Sequence, residues 1–189
     1  MKKLLRILAL LVLLVGMAVP GSAASALVLD QADLLRPQEE KALQQSLEQV
    51  NQKYQVRLAV VTVKNTGNVK SGEFANGMLD KIKDSRLKGN MVLLLSMKDR
   101  DWYISTDNNM RKMITDKAGI KALSGKFLPA LKKNNYPEAF RQYAKGADEL
   151  LAYYQKEGKP YDPANAFNPL ALAIAAAVSL GIEIGRAHV

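Results

Sequence analysis

The stretch MVLLLSMKDRDWYISTD, residues 91–107, decides the fold. From Asn90 to Met97 it is apolar with no polar alternation, the pattern of a strand buried on both faces of a sheet. DWYIST, residues 101–106, returns after a short charged turn, so the two strands are expected to pair antiparallel. Asp99, Arg100 and Asp101 crowd that turn, and Asp107 follows the second strand.

Outward from this hairpin the pattern changes period. VRLAVVTV (56–63) is a second β-branched run of the doubly buried kind, and ALVLD (26–30) is a short strand before it. Between them Leu43, Leu47, Val50 and Tyr54 recur at helical spacing, after a Pro37 that suits a first helical turn. Arg36 takes the N-cap position, where Ser or Asp would serve better. Ala75, Met78, Leu79 and Ile82 form a second amphipathic face beyond the loop NTGNVKSG. After the hairpin, one helical stretch runs from about Met110 to Leu131, broken near Gly119 or Gly125. Another runs from Pro137 to Lys156, with Phe140, Tyr143, Ala147, Leu150 and Tyr154 on one face.

The order β-α-β-α-β-β-α-α predicts an α/β fold. Strand–helix–strand units are expected to cross over right-handed, giving three parallel strands with the fourth antiparallel. Helices on both faces make it a three-layer α/β/α sandwich, Rossmann-like, with a mostly parallel sheet and one antiparallel strand.

Composition narrows the chemistry. The 189 residues are 48% hydrophobic and contain no cysteine, so a disulfide framework and a thiolate metal site are both absent. The only histidine, His188, lies next to the last residue, which leaves no Ser-His-Asp triad or His-rich zinc site within the domain. A metal would need oxygen ligands, hence Ca²⁺ or Mg²⁺, and no organic cofactor is expected. Residues 27–163 carry 23 Lys+Arg against 17 Asp+Glu. That excess suits an anionic lipid surface or acidic partners, and an ordinary solvated surface equally well. No arginine-rich stripe interleaves with aromatics, so nucleic acid is not an expected partner.

The ends read as targeting segments. Residues 1–26 open with Lys2, Lys3 and Arg6, continue with an apolar run and finish on Ala24-Ser25-Ala26, the layout of a secretory signal peptide. Residues 27–157 form the domain and 158–169, rich in Pro and Asn, a linker. Residues 170–183 are apolar all round but shorter than the roughly 20 residues of a full span, so they read as a truncated transmembrane helix. The last six residues, IGRAHV (184–189), match a translation of ATC-GGA-AGA-GCA-CAC-GTC from a common sequencing adapter and are expected to be read-through. The expected localisation is therefore an exported, extracytoplasmic domain anchored in the cell membrane, with lipid as one partner and other membrane proteins as further ones.

In a parallel sheet, ligands bind beyond the carboxyl ends of the strands. Asp30 ends the first strand and Asp99 follows the third, with Arg100 and Asp101 beside it. Asp30, Asp99 and Asp101 are the candidate oxygen ligands of a Ca²⁺ or Mg²⁺ ion. Asp30, Asp99 and Arg100 are the candidate catalytic residues, Arg100 for its bidentate grip on a phosphate or carboxylate. The same residues also read as ordinary turn and loop groups. Asp107 ends the antiparallel strand, so it is expected at the opposite edge, capping the next helix with Asn108 and Asn109.

VLDQADLLRPQEEKALQQSLEQV, VRLAVVTV, GNMVLLLSMKDRDWYIST and FLPALKKNNYPEAF, in that order, resemble the TPM-domain family over about residues 27–156. The group includes a thylakoid-lumen phosphatase-like protein, a photosystem repair protein and an animal receptor-auxiliary protein. The resemblance implies a Rossmann-like domain outside the cytoplasm, often between a signal peptide and a membrane helix. It also implies one of two activities: an auxiliary or scaffold role toward membrane proteins, or a divalent-metal-dependent phosphatase. Asp30 matches the family's D-x-A-x-L-L opening, and Asp99 with Arg100 its acidic-Arg turn. The chain departs from the family at Asp107-Asn108-Asn109, where a G-x-G is usual, and at Arg36, where a Ser cap is usual.

Overall fold

Two strands without a polar face need cover on both sides, and the rest of the domain supplies it. The computed structural model describes residues 26–166. The expected signal peptide up to residue 25, the last three residues of the linker, the truncated span and the adapter-like tail fall outside the described residues. Strand β1 (Val28–Asp30), helix α1 (Pro37–Tyr54), β2 (Arg57–Val63), α2 (Ser71–Ile82), β3 (Asn90–Ser96) and β4 (Asp101–Thr106) come first. Helices α3 (Asn108–Met113), α4 (Ala118–Leu131), α5 (Tyr136–Glu157) and the short α6 (Pro163–Ala166) follow. Among the described residues no helix is long and apolar enough to cross a membrane.

The sheet runs β1-β2-β3-β4, with β1, β2 and β3 parallel and β4 antiparallel to β3. Every residue of β3 is buried, and all of β2 but Arg57, as continuous apolar runs require. One face packs Val28, Leu58, Val60 and Leu93 against α1, α4 and α5. The other packs Ala59, Val61, Val92 and Leu94 against Ala75 and Leu79 of α2. The sheet thus separates two apolar clusters, and the α/β/α sandwich is observed.

The crossovers correct the sequence expectation. Both β1-α1-β2 and β2-α2-β3 step the same way across the sheet, yet α1 and α2 lie on opposite faces. Two crossovers with the same step on opposite faces have opposite hands. One of them is therefore left-handed, against a rule that holds in about 98% of cases. A sequence shows how many crossovers there are but not the strand order that fixes their hand.

Local signals explain most boundaries. Arg36 cannot accept a bond from the first turn, so Glu39 reaches back instead, accepting from the Arg36 backbone N–H at 2.9 Å and from its guanidinium at 2.6 Å. The break between α3 and α4 falls at 114–117, just before Gly119 and well before Gly125, which lies inside α4. Gly119 is required there: a Cβ would come within 2.8 Å of the Ile114 side chain and 3.0 Å of its carbonyl carbon. Gly158, at φ 68°, ends α5 in the left-handed conformation that glycine adopts without strain.

Candidate functional site

The chain leaving β1 passes to the face of α1, and the chain leaving β2 to the face of α2. The carboxyl ends of these neighbours therefore diverge, which is where an open α/β sheet forms its crevice. Asp30 lies at that point, in register with Thr62 of β2. Its Oδ2 accepts from the backbone N–H groups of Leu34 and Leu35, both at 2.8 Å. Its Oδ1 accepts from the hydroxyl of the fully buried Thr62. The Thr62 oxygen in turn accepts from Ala32 N–H at 3.1 Å. This network folds the β1–α1 loop over the sheet edge and lets Asp33 hold a left-handed φ of 57°.

Asp99 does the same for the next loop. Its Oδ2 accepts from the Ser96 hydroxyl at the end of β3 and from Thr66 N–H at 3.2 Å. The Thr66 hydroxyl lies 3.1 Å from that oxygen and 2.7 Å from the Val69 carbonyl, so its one proton serves them by turns. The Ser96 hydroxyl and the Thr66 N–H favour the ionised form and hold Asp99 below the usual carboxylate range. Asp101 is exposed, and among the described residues its side chain accepts only from the N–H of its neighbour Trp102, at 2.9 Å. Arg100 sits at the tip with a left-handed φ of 50°.

Asp30 and Asp99 thus reach the same edge, but each is tied to its own loop. Among the described residues no group of three or more Asp, Glu, His or Cys side chains is gathered closely enough to hold a metal ion. Asp107 lies at the opposite edge, as expected. It caps α3 by accepting from Met110 N–H at 2.7 Å and holds the Asn90 side chain at 2.7 Å. Burial alone would raise its pKa, but the bonds from Asn90 and the α3 backbone outweigh burial and lower it.

These lowered carboxylates contribute to the acid limb of stability, together with Asp84, Glu39 and Glu138, which are also lowered by their hydrogen-bond partners. A depressed folded pKa stabilises fully above the unfolded value of about 3.9 and is lost as pH falls through the lower folded value. The stability deficit of Asp99→Asn against the parent is expected to be full at pH 7 and to shrink between about pH 4 and pH 2. Urea unfolding at both ends of that range measures it. A deficit that stays constant to pH 2 would deny Asp99 this role.

Beside the turn, on the α4–α5 face, opens a cavity of about 430 Å³ that the sequence did not disclose. Its apolar floor is Leu95, Met97, Trp102, Leu128 and Leu131. Arg100, Asp101, Lys132, Asn134 and Tyr136 form its polar part. Trp102 is held edge-on against Phe127, ring centroids 5.2 Å apart. The cavity joins the charged turn to the α4–α5 connection, two segments some thirty residues apart that only the packing of α4 and α5 brings together. The one local signal was KKNNYP (132–137), a basic and turn-rich junction.

Solved structures share this architecture. The N-terminal domain of a protein from P. gingivalis is 18% identical, with a TM-score of 0.59 over 75% of this chain and 90% of that one. The BA42 protein of the psychrophilic bacterium Bizionia argentinensis is 16% identical, with a TM-score of 0.57 over 68% and 86%. The N-terminal domain of cg2496 from Corynebacterium glutamicum is 15% identical, with a TM-score of 0.55 over 67% and 80%. At such identities the likeness shows the fold alone. No curated protein matches the chain. The family model of the TPM domain matches residues 28–150, and the chain belongs to that family.

Proposed function

We propose that this TPM domain is an auxiliary, partner-binding module. It stands outside the cytoplasm, tethered to the membrane by the apolar segment that follows it, and serves the assembly or upkeep of membrane proteins. The observation that carries the reading is the commitment of the two edge carboxylates. Asp30 accepts three hydrogen bonds that shape one loop, and Asp99 ties a second loop to β3. A general base works best with a pKa near the operating pH, and Asp99 is shifted the other way. The Ser96 hydroxyl that faces it is fully buried. The edge is therefore better suited to holding a partner than to turning over a substrate, and the adjoining cavity offers the place.

The location is testable because the chain has no cysteine. Lys81→Cys, on the exposed side of α2, is expected to react with a membrane-impermeant maleimide in intact cells. Reaction only after lysis would overturn the topology.

A further inference from the structure

We infer that the cavity between the β3–β4 turn and the α4–α5 connection captures the free carboxyl terminus of a partner polypeptide whose last residue is apolar. The inference rests on the partner-binding reading and names what is bound.

Charge comes first. Arg100 and Lys132 both line the cavity, and neither side chain makes a hydrogen bond or ion pair among the described residues. Elsewhere in the domain Arg36, Lys53, Arg86, Lys126 and Arg141 are each paired with an acid. Lys98 and Lys133, close to this pair in the chain, also lack an ion pair among the described residues but do not line the cavity. Asp101 shares the rim, so the cavity carries a net charge of one positive unit. That balance accommodates a monoanion. A phosphate dianion would sit against the Asp101 carboxylate with only partial compensation. The planar fork of Arg100 fits a carboxylate bidentately, and Lys132 adds a point charge from the other wall.

The floor then selects among carboxylates. Leu95, Met97, Trp102, Leu128 and Leu131 line the same cavity as the two cations and present hydrocarbon there. A chain terminus places its carboxylate and its last side chain on one Cα, so a leucine or valine end covers hydrocarbon and neutralises charge together. An internal Asp or Glu would bring two flanking peptide groups to the same cavity, whereas a chain end brings one, so the terminus has fewer polar groups to desolvate. A volume of about 430 Å³ lies in the ordinary range for small-ligand sites and admits a chain end but not a folded surface. Capture of a terminal carboxylate is a recurring mode of peptide recognition.

Trp102 is the only tryptophan and forms part of the floor, so binding can be read directly. The purified full chain is titrated with N-acetyl-Ala-Ala-Leu as the free acid, with its C-terminal carboxamide, and with inorganic phosphate. The free acid is expected to change Trp102 fluorescence saturably, with the carboxamide at least tenfold weaker and phosphate without effect on the peptide titration. Arg100→Gln and Lys132→Gln are each expected to weaken the free acid about tenfold, and Asp101→Asn to strengthen it. Both cations are exposed, so these variants fold, and unchanged melting temperatures confirm it. Equal response to acid and carboxamide, no saturable response, or equally effective phosphate would overturn the assignment. Any of these with Lys81→Cys still labelled from outside defeats the pocket alone, whereas labelling only after lysis defeats the broader reading.

Discussion

Replacing Phe127 by alanine is expected to cost about 3–5 kcal/mol of folding stability, the range for emptying a buried aromatic site. Phe127 is fully buried and holds two rings edge-on, Trp102 at 5.2 Å and Tyr143 at 6.3 Å. It stands where α4, α5 and the sheet meet. Tyr143 cannot turn to fill the gap, because its buried hydroxyl points at the Ala59 carbonyl, 3.5 Å away. Urea unfolding followed by Trp102 fluorescence measures the loss, and the native emission should shift as the indole loses its neighbour. A loss under about 1 kcal/mol would mean that this layer of the core is misplaced.

Asp30→Ala should be nearly as costly, at about 3 kcal/mol. The change leaves Leu34 and Leu35 N–H groups and the buried Thr62 hydroxyl without their acceptor. Asp30→Asn should cost less than half as much. Its amide oxygen can still accept from the two backbone groups, and its NH₂ can donate to the Thr62 oxygen. The sign of the alanine effect separates two ideas of this residue. A carboxylate held ready for a cation, against neighbouring acids, would repel them, and removing it would stabilise the metal-free protein. A carboxylate that folds the loop destabilises when removed. A gain in stability for Asp30→Ala in chelator-treated buffer would contradict the network described above.

The fold was legible where burial alone dictates pattern. The runs 56–63 and 90–97 are apolar on both faces, and that can only mean a covered, largely parallel interior. The helices showed themselves through Leu43, Leu47 and Val50, and through Phe140, Tyr143 and Ala147, because a 3.6-residue period is local. Asp107 was placed correctly by counting residues along a strand. The hand of the crossovers was not legible, since it depends on which face each helix takes once the strand order is set. The helix break was seen only as a pair of glycines, and the crowding of Gly119 against Ile114 decides between them.

The site divides in the same way. Asp30, Asp99 and Arg100 could be named because each follows a recognisable strand. Their hydrogen bonds could not be foreseen: Thr62, Ser96 and Thr66 sit inside apolar or loop segments with nothing to mark them as partners. The cavity was missed altogether. Trp102 read as strand, Leu128 and Leu131 as helix, and Lys132 lay just past the end of that helix. Their convergence is a property of how α4 and α5 lie on the sheet.

We propose above that this edge binds rather than catalyses. Phosphate release from p-nitrophenyl phosphate by the purified full chain, with and without Mg²⁺ or Ca²⁺, tests it most directly. No release above the buffer rate is expected in any condition, and no difference between the parent and Asp99→Asn. Metal-dependent turnover that Asp99→Asn abolishes, in protein that stays folded, would contradict it.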